Sequence, residues 1–283
     1  FPTNPAMSQE NIETARRWLG EAEALLITAG AGMGVDSGLP DFRGTAGFWK
    51  AYPPYEKLGL EFMSVANPKN FHSDPAFGWG FYGHRFNLYK NTKPHQGFEI
   101  LRHWGESLPG GSFVFTSNVD GHFEMAGFRS EQVLECHGSI HHYQCLDNCR
   151  GKIYSADWDE IEIDESTMRA VEPLPRCPDC DEVARPAILM FGDWEWNGLR
   201  SEQQEMAYRE WWDSLGDRRL AIIEMGAGTA IPTVRIESER ACRRGNGFLI
   251  RINPRESQIP GNVEGVELAM GALDGLRKLF PEG

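Results

Sequence analysis

Between Ser8 and Glu23 the apolar residues Ile12, Ala15, Trp18 and Leu19 recur at helical spacing, which predicts an amphipathic helix. The pattern then changes. Ala24 to Thr28 is an unbroken apolar run that ends at glycines, the mark of a strand buried on both faces. Similar short runs recur at Phe113–Phe115, Val133–Leu134, Leu220–Ile223, Phe248–Ile252 and Val266–Leu268, with helical patterns between them. Such alternation predicts a Rossmann-like, doubly wound α/β fold on a parallel sheet. A last helix is expected over Gly271–Phe280.

Two stretches break the alternation. Residues 52–93 are crowded with aromatics and read as a helical insertion, while residues 141–184 carry cysteine pairs, an acidic run at 157–165 and little strand pattern. Together they are expected to form a small domain. The large domain then comprises residues 7–51, 94–140 and 185–283. Cys145 and Cys149 stand as Cys-x3-Cys, and Cys177 and Cys180 as Cys-x2-Cys. Two such pairs on short turns suit a structural, zinc-ribbon-like Zn²⁺ site, which would staple a small core. Four independent thiols are the alternative. Cys136 and Cys242 lack such partners and are expected to be small buried hydrophobes.

Charge narrows the partners. With 283 residues and 41% hydrophobic content the chain can bury a sizeable core. A net charge of -13 argues against nucleic acid and suits cationic partners such as lysine-rich segments. No apolar run approaches the roughly 18 residues of a membrane span. Residues Phe1–Met7 lack the basic and apolar regions of a secretory leader, so a cytoplasmic protein is expected. Met7 is expected to be the natural start, with residues 1–6 a vector-derived remnant.

In an open α/β sheet, ligands collect beyond the carboxyl ends of the strands. Gly30-Ala31-Gly32-Met33-Gly34 follows the first apolar run and suits close approach of backbone N–H groups to a diphosphate. Val35 stands where a full dinucleotide fingerprint has its third glycine. Asn118 and Asp120 follow the second run, placed to hold a ribose or carboxamide, or to form an Asx turn. His137 precedes Gly138 just past the third run, and an imidazole there suits a general base near neutral pH. A structural histidine is the other reading, and His122, His141 and His142 compete for the role. Tyr82 and Arg85 share a helix face, where they either read a terminal carboxylate or support the fold.

Taken in order from Ala24 to Asn253, these segments resemble the bacterial-type sirtuins, NAD-dependent protein-lysine deacylases. The string from Ala24 to Trp49, with Asp36-Ser37-Gly38-Leu39-Pro40-Asp41-Phe42-Arg43-Gly44 at its centre, is similar to their cofactor-binding loop. Thr116-Ser117-Asn118-Val119-Asp120 is similar to their Thr-Gln-Asn-Ile-Asp, with Ser117 for the glutamine. His137-Gly138 matches the step that carries their base. Arg185-Pro186 through Phe191-Gly192-Asp193 matches their peptide-pairing segment. Gly226 to Thr229 and Ile252-Asn253 match their Gly-Thr-Ser and Ile-Asn turns.

The resemblance implies that NAD is held by Gly30, Ala31, Gly32, Ser37, Asp41, Phe42, Arg43, Ser117, Asn118, Asp120, Gly226, Gly228 and Asn253. It makes His137 the catalytic base, assisted by Asn118 and Asp120, and Phe42 the shield over the reacting ribose. Phe191, Gly192, Tyr82 and Arg85 would meet an acetyl- or succinyl-lysine protein segment. The acyl oxygen would displace nicotinamide, and His137 would activate a ribose hydroxyl, giving O-acyl-ADP-ribose and free lysine. Ser117 and the Asp193-Trp194-Glu195-Trp196 run depart from the family pattern. They keep open a mono-ADP-ribosyltransferase or NAD glycohydrolase, and a non-catalytic NAD- or ADP-ribose-binding sensor. A hydride-transferring dehydrogenase finds no support in the incomplete fingerprint.

Overall fold

The structure, a computed structural model, describes residues 5–41, 44–244 and 246–281. Helix α1 (Pro5–Glu21) leads to β1 (Ala24–Ala29), which empties into a 3-10 turn over Ala31–Ser37. Helices α2 (Gly44–Ala51), α3 (Pro53–Lys57), α4 (Phe62–Val65), α5 (Lys69–Ser73), α6 (Pro75–Asn91) and α7 (Gln96–Ser107) follow. Next come β2 (Ser112–Thr116), α8 (His122–Met125), β3 (Val133–Glu135) and β4 (Gly138–Cys145). Three short strands, β5 (Ile153–Ser155), β6 (Ile163–Asp164) and β7 (Arg169–Ala170), precede β8 (Ala184–Ile188). The chain continues through α9 (Leu199–Leu215), β9 (Leu220–Met225) and α10 (Thr233–Arg244). It closes with β10 (Gly247–Ile252), β11 (Gly265–Leu268) and α11 (Ala272–Leu279).

The main sheet runs β11-β10-β9-β1-β2-β3 with every pairing parallel. Its register aligns Ile252 with Met225, Met225 with Ala29, Ala29 with Thr116, and Thr116 with Glu135. The turns that leave these strands therefore stand in a row along one edge. The strand order reverses between β1 and β9, which is where an open α/β sheet binds its ligand. Both faces are covered. Ile12, Leu25, Ile27, Phe98 and Leu276 pack on one side, and Leu26, Phe115, Tyr208, Ile222 and Val234 on the other. Burial on both faces explains why these strands read as mainly apolar runs.

A second core gathers Phe48, Tyr52, Tyr55, Phe71, Trp79, Phe81 and Phe86 against Ile140, Leu146, Ile161 and Met190. Glycines let α6 lie directly on the β6–β7 hairpin. A Cβ at Gly80 would fall 1.8 Å from the Met168 carbonyl oxygen. Elsewhere along α6, Trp79 Nε1 donates to the Ala184 carbonyl of β8 at 2.8 Å, and Asn87 exchanges two hydrogen bonds with Ile161, two residues before β6. The scant strand pattern of residues 141–184 hides a real antiparallel sheet, β5-β4-β8, and the β6–β7 hairpin. Its alternation is masked because polar side chains of β4 are buried with partners. Gln144, for example, donates to the Glu195 carbonyl and accepts from the Asn197 amide, each at 2.9 Å. Among the described residues no helix is long and apolar enough to cross a membrane.

Candidate active site

At the switch point two glycine turns touch backbone to backbone. The Gly30 and Gly32 amides donate to the Met225 and Gly226 carbonyls, each at 3.0 Å. A Cβ at Gly32 would lie 2.6 Å from Gly226 Cα, and one at Gly226 would lie 2.4 Å from Gly32. Gly226 also has φ +60°, a conformation that favours glycine. These two amides thus join β1 to β9, where the sequence pattern alone assigns them to a diphosphate. In the same pair of turns Ala31 is exposed and Gly228 half-buried. Asn253 is fully buried: Nδ2 donates to the Ala227 carbonyl at 2.9 Å and Oδ1 accepts from the Arg255 and Glu256 amides. Its work is to shape the turns at the ends of β9 and β10.

Beyond β2, the Thr116 hydroxyl donates to the Ala29 carbonyl and accepts from the Asn118 amide. Asn118 Nδ2 in turn donates to the Gly30 carbonyl at 3.0 Å, so its side chain leans over the glycine turn. Ser117 is half-buried beside it. Asp120 is buried, and its Oδ1 accepts the His122 amide at 3.0 Å, the Asx cap that its position allowed. Backbone bonds from Cys136 to Thr116 and from Ile140 to Val119, both 2.9 Å, dock the His137 step onto this turn. Gly138 sits at φ +81°, where a Cβ would strike the Ala187 carbonyl oxygen at 2.0 Å. Burial lowers the His137 pKa, and a hydrogen bond to the Ser117 backbone opposes that shift. The net shift is downward, which favours the neutral ring near pH 7.

Ser37 and His95 form a link that pattern reading misses. Ser37 Oγ accepts the His95 amide, and the His95 ring spans from the Gly97 amide on Nδ1 to the Met33 carbonyl on Nε2. These partners set the ring as the Nε2–H tautomer and pin α7 to the glycine turn. Lys93-Pro94-His95 carries no periodic or motif signal that would have marked it. Asp41 makes an ion pair with Arg255 at 3.5 Å, joining the loop after β1 to the turn after β10. Phe42 and Arg43 lie outside the described residues.

Just past β8, the Leu189 amide donates to the His137 carbonyl at 2.9 Å, and Phe191 donates its amide to the Ala66 carbonyl at 3.1 Å and packs edge-on against Phe62. Gly192 follows, exposed, at φ +66°. Arg185 and Asp193 form a bidentate ion pair with both side chains fully buried, which holds the base of this loop. Of the two tryptophans that follow, Trp194 is 95% exposed and Trp196 half-buried. Tyr82 and Arg85 are both buried on α6. The Arg85 guanidinium lies 5.1 Å from the Phe81 and Tyr89 ring centroids and 6.0 Å from that of Tyr82, and its Nε donates to Tyr89 Oη. Burial pushes the Tyr82 phenol up to about 12, so it remains a neutral donor.

The cysteine pairs converge. Sγ of Cys145 lies 3.6 Å from that of Cys180, and Sγ of Cys149 lies 3.7 Å from that of Cys177. All four sulfurs fall within 4.8 Å of one another, and all are free thiols. A tetrahedron with Zn–S of about 2.3 Å has edges near 3.8 Å. The cluster fits a closed, four-thiolate zinc site, and the reading of four independent thiols is set aside.

The sequence profile of the Sir2 family matches residues 30–209. An NAD-dependent protein deacylase of Pyrococcus abyssi is 30% identical over 249 residues, covering 88% of each chain. A probable bifunctional ADP-ribose hydrolase/ADP-ribosyltransferase of Fusarium oxysporum f. sp. cubense is also 30% identical, over 90% of this chain and 45% of that protein. A crystal structure of a Sir2 homolog–NAD complex superposes with a TM-score of 0.69 at 24% identity, covering 94% of this chain and 91% of that one. The strand-end site lies at the switch point of a Rossmann-like α/β sheet. The chain belongs to the Sir2 family.

Proposed function

We propose that this protein is an NAD-dependent protein-lysine deacylase that uses His137 as its general base. The observation that carries the reading is a half-buried His137 docked by backbone bonds onto the Asn118–Asp120 turn, whose Asn118 leans over the glycine turn of β1. Gly30 to Gly32, Asn118 and the turn held by Asn253 line the cradle for NAD. When bound, NAD supplies an electrophilic ribose carbon and a nicotinamide leaving group. Asn118 and Asp120 orient the ribose end, and His137 accepts the hydroxyl proton. Phe191 and Gly192 guide an extended acyl-lysine segment by backbone pairing. Lysine-rich partners suit the net charge of -13. Succinyl-lysine is a candidate alongside acetyl-lysine, because Arg85 and Tyr82 bring a guanidinium and a phenol together in one aromatic cluster.

The test is mass spectrometry of NAD incubated with acetyl- and succinyl-lysine peptides. Wild type should give peptide-dependent O-acyl-ADP-ribose, and His137→Ala should lose it by about 10²- to 10⁴-fold, the usual worth of a general base. The Fusarium relative's name supports ADP-ribosyl transfer as a second reading. Nicotinamide release with no O-acyl-ADP-ribose from either peptide would replace the deacylase reading with ADP-ribosyl transfer or NAD hydrolysis.

A further inference from the structure

Strand β3 is the edge of the main sheet and leads directly into His137. On its inner side the Cys136 amide bonds to Thr116, which turns the amide and carbonyl of Glu135 toward the open edge. The first turns of α9 close that edge with side chains. Ser201 Oγ donates to the Glu135 carbonyl at 2.9 Å, and Gln204 Oε1 accepts the Glu135 amide at 3.1 Å. Arg200 completes the arrangement. It pairs with the Glu135 carboxylate, whose side chain is only 3% exposed, and with Glu124 of α8 at 3.1 Å. Glu124 lies four residues past Asp120, and Glu135 two residues before His137.

We propose that Arg200, with Ser201 and Gln204, is a positioning device for the reaction: it clamps the segment carrying His137 to the segment carrying Asn118 and Asp120. The guanidinium fork suits the task, because one planar group reaches two carboxylates on different elements at once. None of the three needs to touch substrate. Their effect is to fix the distance between the base and the groups that hold the ribose. The inference rests on the deacylase reading.

That reading separates two observables. Exchange of labelled nicotinamide into NAD precedes any need for the base, whereas O-acyl-ADP-ribose formation follows it. In Arg200→Met, product formation should fall by about ten- to a hundredfold, the cost of a slightly misplaced catalytic group, with exchange nearly unchanged. Arg200→Lys keeps the charge without the fork and should recover only part. The double variant Arg200→Met/Glu135→Gln removes the unpaired buried carboxylate and should regain thermal stability but not product formation. Equal losses of exchange and product in the single variant, restored together in the double, would overturn the proposal. A readout that needs no turnover is the imidazole C–H resonance of His137, assigned by its disappearance in His137→Ala. The clamp predicts a shifted resonance and titration midpoint in the double variant, and an unchanged spectrum defeats it. If wild type releases nicotinamide without forming O-acyl-ADP-ribose, the deacylase reading fails and the His137 resonance still decides the clamp.

Discussion

Along the carboxyl edge of the main sheet, neighbouring turns are joined chiefly by backbone: Gly30 to Met225, Gly32 to Gly226, Cys136 to Thr116, Ile140 to Val119. In the lobe formed by α2–α6 and β4–β8, side chains carry more of the joining. Trp79 reaches Ala184, Asn87 reaches Ile161, Arg169 pairs with Asp74 at 2.7 Å, and four sulfurs meet from two distant turns. A parallel sheet positions its turns by register, so each strand constrains the next. Short antiparallel strands bury too little to stand alone and need aromatic packing and a staple. The main-sheet edge is therefore expected to be rigid by default, and the lobe only while its anchors hold.

Removing the metal should break the contrast most sharply. After chelation, or in Cys177→Ser, hydrogen exchange should rise across residues 141–184 and α6 while β1 and β9 stay protected. Uniform loss of protection would show that the two regions form a single cooperative unit. Next in size, Gly226→Ala places a Cβ against Gly32 at a positive φ, and should cost about 2–5 kcal/mol in urea denaturation. A loss below about 1 kcal/mol would mean that the glycine contact yields easily. Arg85→Met probes the lobe's share of specificity: succinyl-lysine turnover should drop selectively, and an unchanged acyl preference would return Arg85 to a purely structural role.

The smallest effect is on pH dependence. Burial lowers the pKa of His84, His95, His137, His141 and His142, the last to about 4. Unfolded histidines titrate near 6.5, so below that pH the unfolded chain binds protons that the folded one refuses. Their contribution is absent above pH 6.5 and turns destabilising as pH falls toward the folded values. Burial raises Glu135 to about 7, against the pull of Arg200, and this one carboxyl works in the opposite direction between pH 7 and its unfolded value. Five imidazoles outweigh it. The thermal midpoint should be flat from pH 8 to 7 and lower at pH 5; a midpoint that climbs on acidification would show Glu135 to dominate.

Several features could be read without coordinates. The apolar runs at Leu220–Ile223 and Phe248–Ile252 fall inside β9 and β10, because a strand buried on both faces is mainly apolar; the exception, Arg251, is buried in an ion pair with Glu224 of β9. His137 stood out because His137-Gly138 matches the step that carries the sirtuin base; locally the structure shows that Gly138 takes a positive φ, which favours glycine. The cysteine spacing foretold a cluster, since each pair sits on one short turn. Pairing across the turns, Cys145 beside Cys180 and Cys149 beside Cys177, came from the packing of β4 against β8.

Other features have no local signature. β4 was hidden because His141 and Gln144 satisfy their polar groups with residues 21 and more than 50 positions away. The commitment of the Gly30 and Gly32 amides to β9 depends on which strand lies beside β1, and that is a matter of topology. Arg200 reaches Glu135 across 65 positions of chain. Periodicity and turn chemistry act over a few residues, so the sequence by itself determined the strands, the turns that end them and the residue types gathered there. Which of those turns touch, and which polar groups remain for a ligand, was decided only when the sheet ordered its strands and the side chains of distant helices closed its edge.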